Sequence, residues 1–135
     1  MSGLSHLAMQ KAIYETLTED SGLMAKVSGV YDYVPEGVAY PYITIGDIAA
    51  SDWSTKTSSG TQMTIDLHVH SQKNGRKETI GLIEDLYTLL HQGGLTVAGH
   101  NLIAIRYESD QVQLDRNGIN YRGTVRFRAY TEASA

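Results

Sequence analysis

Apolar positions along this chain switch between helical and extended spacing, and the switches set the expected elements. Met9, Ala12, Ile13 and Leu17 recur at helical spacing, which predicts a first helix with one buried stripe and Ser5 as its N-cap. A short helical turn carrying Leu23, Met24 and Val27 is expected after Ser21. Residues 30–40 are aromatic and glycine-bearing, and Pro41 then opens a strand over Tyr42–Ile48. A proline at the first strand position costs no ladder hydrogen bond. The clearest strand is Gln62–Ser71: Met63, Ile65, Leu67 and Val69 face one way, Thr64, Asp66, His68 and His70 the other. Between these two strands, Asp47–Gly60 breaks the apolar pattern with Ser, Thr, Asp and Gly. It reads as a loop well beyond the ~2–5 residues usual for a hairpin.

The second half repeats the change of period. After a turn over Gln72–Gly75, a helix from about Arg76 to Gln92 is predicted, with Ile80, Ile83, Leu86, Tyr87 and Leu90 as its buried stripe. Gly93-Gly94 stops it. A strand follows from about Leu102, and Asn117-Gly118 marks the tip of a closing hairpin. That hairpin contains a conflict of phase. Tyr121, Val125, Phe127 and Ala129 share one face of the last strand; the strand before it is apolar at Ile103, Ile105 and Tyr107, then at Val112 and Leu114. Side chains alternate with period two, so one regular strand cannot bury both odd and even sets. An extra residue between Tyr107 and Val112, a β-bulge, would restore the facing. The fold class that results is α+β: two helices packed on one face of a mostly antiparallel four-stranded sheet, with a long loop between the first two strands, in a single domain over residues 1–135.

Composition narrows the chemistry. With 135 residues, 41% hydrophobic and 19% charged, the chain is long enough to bury a core without cross-links. It has no cysteine, so thiol catalysis, disulfides and cysteine-based metal sites are excluded. The first residues carry no basic patch followed by an apolar run, so no secretory signal is expected, and no stretch approaches the ~20 apolar residues of a membrane span. A formal net charge of −4 disfavours a general nucleic-acid binder, whose phosphate affinity rests on surplus Lys and Arg.

Motifs for enzymes are missing: there is no nucleophile elbow, phosphate-binding loop, dinucleotide glycine pattern or helical zinc motif. Asp66, His68 and His70 share a strand face and form the best metal candidate, although strand alternation alone accounts for their positions. His100, after Gly99, has no nucleophile or orienting acid that the sequence can assign to it. Accordingly no catalytic residue, metal ligand or cofactor is expected. Contact residues are easier to nominate. Arg122, Arg126 and Arg128 share one face of the last strand, with Arg106, Glu108 and Asp66 as neighbours on that surface. Interleaved acids on a net-negative chain favour cross-strand ion pairs or pairing with a neighbouring subunit over DNA. Trp53, the only tryptophan, lies in the polar loop beside Asp52 and Lys56, where nothing apolar is adjacent in sequence, and reads as an interface anchor. Asp52, Trp53, Lys56, Arg126 and Arg128 are therefore the candidate interface residues.

Several segments together carry a resemblance. Gln10–Tyr14, Val30–Gly37 (VYDYVPEG), Tyr40–Gly46 (YPYITIG), Asp52–Lys56 (DWSTK), Leu67–Ser71 (LHVHS), Gly99-His100 and Arg126–Arg128 (RFR) occur in order. The chain resembles a family of short phage and prophage tail-completion proteins from about Ala12 to Thr131; Asp115–Gly118 departs from the pattern, in which a second acid near Asn117 is expected. The resemblance implies a tail terminator, a non-enzymatic virion protein assembled in the bacterial cytoplasm. Subunits of such proteins form a homohexameric ring that caps the tail tube protein and meets a neck or stopper protein. Genome DNA passes through the lumen without sequence-specific binding, and no membrane is involved. Gene transfer agents use the same architecture. Competing readings are another neck component, a small metal-binding or enzymatic α+β module at Asp66, His68 and His70, and an RNA-binding module weakened by the acidic balance.

Overall fold

The computed structural model describes residues 5–72 and 75–133. The elements are α1 (His6–Thr18), α2 (Ser21–Met24), β1 (Val30–Tyr31), β2 (Tyr42–Asp52), β3 (Gly60–Ser71), α3 (Lys77–Leu90), β4 (His100–Leu114) and β5 (Tyr121–Ala133). One sheet runs in the order β1-β2-β3-β5-β4. The α+β class stands, but the sheet has five strands rather than four, because Val30 and Tyr31 add parallel to Ile43 and Thr44. A two-residue stub carries no periodicity, so only the tertiary pairing reveals it. The other strand pairs are antiparallel. The turn expected over Gln72–Gly75 falls partly outside the described residues.

Helices lie on the face defined by Met63, Ile65, Leu67 and Val69 of β3 and Val125, Phe127 and Ala129 of β5, all buried. Against them α1 sets Met9, Ala12, Ile13 and Leu17, the predicted stripe. Ser5 stands at the N-cap position, as expected, and its carbonyl accepts from Met9 N–H at 2.8 Å, but its side chain makes no cap bond and instead pairs with the Thr131 hydroxyl at 2.7 Å in the core. The stripe of α3 is also rotated. Thr79, Leu82, Ile83, Leu86 and Leu90 are buried, whereas Ile80 and Tyr87 stay exposed on its flank. Gly123 explains the rotation. A Cβ there would lie 2.7 Å from both Thr79 Cγ2 and Ile83 Cδ1, so the missing side chain is what lets α3 sit down on β5.

Two strands change phase. In β4 the register slips between Tyr107 and Ser109, so Tyr107 lies opposite Phe127 while Ser109 meets Arg126. This is the bulge the sequence required, and Val112 thereby packs on the core side with Tyr107. A second slip between Leu102 and Ala104 turns Ile103 out to solvent and Leu102 inward, the reverse of the periodic reading. β2 slips between Ile45 and Ile48. There a Cβ on Gly46 would collide with the His68 ring, so glycine makes room for the imidazole.

The long loop is corrected most. β2 continues to Asp52 and β3 begins at Gly60, so Asp47–Gly60 is mostly a β-hairpin whose loop spans residues 53–59. Polar composition hid it: residues 49–52 are exposed on both faces, so nothing forces an apolar alternation. The closing hairpin is tied by Asp115 N–H donating to Asn120 O at 2.7 Å, with Gly118 at φ +72°. No helix among the described residues is long and apolar enough to cross a membrane.

Candidate functional site

Opposite the helices, the sheet presents an uncovered polar face. Alternation puts Asp66, His68 and His70 of β3 there beside Arg122, Thr124, Arg126 and Arg128 of β5. Arg126 donates to both Asp66 oxygens, Nε at 2.8 Å and Nη2 at 3.1 Å. Arg128 donates from Nε at 3.0 Å and Nη2 at 2.7 Å to one oxygen of Glu108, the bulged residue of β4. The carboxylate hydrogen bonds raise both guanidinium pKa values. These two arginines are thus held as a planar, charge-balanced array by their own chain, and remain exposed enough to meet a partner.

The histidines are engaged differently. His68 Nδ1 lies 2.9 Å from the Thr124 hydroxyl, and His70 Nε2 lies 3.0 Å from the Thr44 hydroxyl. His70 also stacks on Tyr42 with ring centroids 4.6 Å apart. Both pKa values are lowered, first by burial, then by the Arg122 charge for His68 and by His68 and Arg122 for His70. Asp66, the third member of the metal candidate, is committed to Arg126. Among the described residues no group of three His, Cys, Asp or Glu is placed to hold a metal ion.

At the hairpin end, Trp53 N–H donates to Gly60 O at 3.0 Å, and the indole leans on Tyr130 with centroids 4.9 Å apart. The expectation that Trp53 lacks an apolar neighbour is corrected by this cross-sheet contact, although the side chain remains 41% exposed. Asp52 accepts from the Ser54 hydroxyl at 2.7 Å, and a Thr55–Ser58 turn closes the tip around exposed Lys56. Asp52, Trp53 and Lys56 are therefore together at the tip. Arg126 and Arg128 lie lower on the sheet face: Arg128 pairs opposite Thr64 and Arg126 opposite Asp66. The candidate interface residues thus form two patches rather than one.

A cleft of about 590 Å³ lies between residues 92–97 and β4. His100 lines it with a buried Nδ1 that has no partner among the described residues, and none of the lining residues is a carboxylate. What the periodic reading missed is the α3 end: His91 Nδ1 accepts from Tyr107 N–H at 2.9 Å, and Gln92 N–H donates to Ile105 O at 2.8 Å. Gln92 takes a φ of 55°, for which the sequence gives no signal, while Gly93 is needed because a Cβ there would lie 2.9 Å from Leu89 O.

Fold and surface together define a small α+β protein whose exposed chemistry is paired charge, a tilted aromatic pair at the hairpin tip and open strand edges, the equipment of a contact-making subunit. The chain belongs to the family of tail completion protein gp17, whose model matches residues 11–132. It is 30% identical over 125 residues to tail completion protein gp17 of Bacillus phage SPP1, covering 93% of this chain and 92% of that protein. Its fold is similar to a chain in the virion of a native gene transfer agent particle, with TM-score 0.90, 25% identity and coverage of 98% and 100%. It is also similar to the solved structure of bacteriophage SPP1 gp17, with TM-score 0.66, 28% identity and 95% coverage of each chain.

Proposed function

We propose that this chain is a non-enzymatic structural subunit of a virion, a tail terminator that forms a homohexameric ring at the head–tail junction. Its membership of a tail completion family over nearly its whole length carries this reading. In that role the ring caps the tail tube protein on one side and presents a surface to a neck or stopper protein on the other. Genome DNA crosses the lumen. A net charge of −4 suits a conduit that must not grip its cargo.

A ring needs heterologous contacts, in which one surface of each subunit meets a different surface of the next. The hairpin tip at Asp52, Trp53 and Lys56 supports such a contact, because it projects from the sheet and carries a half-exposed aromatic anchor. The Arg126 and Arg128 array offers a second, charged surface to a neighbour or to the lumen. Deleting the gene and imaging the products tests the reading. Separate heads and tails of uncontrolled length are expected; complete, joined particles would refute it.

A further inference from the structure

Two strands of the sheet, β2 beyond its short β1 partner and the edge strand β4, leave backbone groups open, and the open stretches are complementary. In β2, the Trp53–Gly60 hydrogen bond fixes residues 49, 51 and 53 as facing β3. By alternation Ile48, Ala50 and Asp52 direct their N–H and C=O groups away from the sheet. β1 covers this edge only at Ile43 and Thr44. In β4, the Asp115–Asn120 bond fixes Asp110, Val112 and Leu114 as facing outward. Further up the same edge, Ile105 C=O and Tyr107 N–H are already taken by Gln92 and His91. So β2 is open only toward its end and β4 is open toward its own, at opposite margins and opposite ends of one sheet. No strand among the described residues pairs with either stretch.

We infer that the β2 edge of one copy, at Ile48, Ala50 and Asp52, pairs antiparallel with the β4 edge of the next copy, at Asp110, Val112 and Leu114. This rests on the ring reading above and names the surfaces that close it. Three observations select a second copy as the occupant. First, β2 and β4 run in opposite directions within the sheet, so a rotated copy presents them antiparallel. Second, the side chains match: Ile48 and Ala50 meet Leu114 and Val112 on the helix side. There Leu114 is 45% exposed, and Ile80 and Tyr87 of α3 are each 43% exposed.

Third, the geometry closes. Ala50 is level with Ile105 through the register Ala50–Met63–Ala129–Ile105. Val112 lies seven residues beyond Ile105, one of them absorbed by the bulge at Glu108, so pairing Ala50 with Val112 shifts each copy by six steps, about 20 Å at ~3.3 Å per residue. Four strand spacings of ~4.8 Å, since β1 stops short of this contact and β2 of one copy lies directly against β4 of the next, span about 19 Å. The ratio is a strand tilt of about 45°, at the upper end of the ~35–45° at which sheets close into barrels. Six copies at that tilt, with four strands each, give a cylinder on the order of 50 Å across, measured backbone to backbone. The blocked parts of each edge, β1 on one and the end of α3 on the other, enforce the stagger. This register also sets Asp52 beside Asp110, an opposing contact that suits a ring formed on its template rather than in free solution.

The test uses particles assembled from full-length chain. The chain has no cysteine, so a variant carrying Ala50→Cys and Val112→Cys contains only the two introduced thiols. After oxidation and denaturation, a ladder of covalently joined copies ending at the hexamer is expected from the double variant, and monomer alone from each single variant. Ala50→Pro removes one outward N–H without touching the β3 ladder, and should lower the yield of joined particles about tenfold or more. Its thermal midpoint serves as the folding control. Joined particles that contain this chain yet give only monomer from the double variant, with Ala50→Pro joining normally, overturn the edge pairing and leave the ring standing. Joined particles lacking this chain overturn both.

Discussion

Gly123→Ala isolates the contact that seats α3 on the sheet. The added methyl would sit 2.7 Å from Thr79 Cγ2 and 2.7 Å from Ile83 Cδ1, where carbon atoms prefer roughly 3.5–4.0 Å. The Ile83 terminus can rotate away. Thr79 cannot do so easily, since it is β-branched, helical and fully buried. Overpacking of this kind costs about 1–3 kcal/mol, and replacing glycine in a strand returns about 0.5–1 kcal/mol through lower unfolded-state entropy. A net loss of about 1–2 kcal/mol follows, a fall of roughly 3–8 °C in thermal midpoint for a domain of this size. Urea denaturation followed by far-UV circular dichroism should show an earlier midpoint with an unchanged slope. Thr79→Ser removes one of the clashing carbons, so Thr79→Ser/Gly123→Ala should recover part of the loss relative to additivity. A Gly123→Ala protein at least as stable as the parent, or strict additivity in the double variant, would show that α3 does not rest on this approach.

Other expectations follow from the polar face and the hairpin tip. His68 and His70 have folded-state pKa values below the ordinary 6.5, so the fold prefers them neutral. Their contribution is therefore complete above 6.5 and lost as pH falls through the lowered values. His68→Gln/His70→Gln should flatten that acid limb in a stability–pH curve, and an unchanged limb would assign it to other groups. Arg126→Glu/Arg128→Glu should impair particle joining without unfolding the domain; normal joining would exclude a contact role there. Restoring the internal pair with Asp66→Arg/Arg126→Glu separates the two uses of that arginine, since recovered joining means that it serves only its own chain. Trp53→Ala forfeits an aromatic pair worth about 0.5–1.5 kcal/mol, so the fold should survive while joining fails. Proteolysis near Lys56 in the free protein, with protection in assembled particles, would place the tip in a contact.

Sequence alone determined the elements whose burial is one-sided. The alternation of β3 and the α1 stripe are each imposed by a single core, so period two and period 3.6 survive in the residues. The Glu108 bulge was legible for the same reason: a phase conflict between Tyr107 and Val112 has few physical resolutions. Arg126 and Arg128 could be grouped from alternation, but not given their partners, since Asp66 and Glu108 lie on other strands and one sits on the bulge. Only the tertiary structure decided the rest. Residues 49–52 of β2 are exposed on both faces, so the far end of the β2–β3 hairpin left no apolar trace on that strand and its polar residues read as loop. The rotation of α3 depends on a missing methyl at Gly123, forty residues away from the contacts it permits. The open edges of β2 and β4 belong to backbone groups, which every sequence carries alike; which of them stay unpaired is set by neighbours alone.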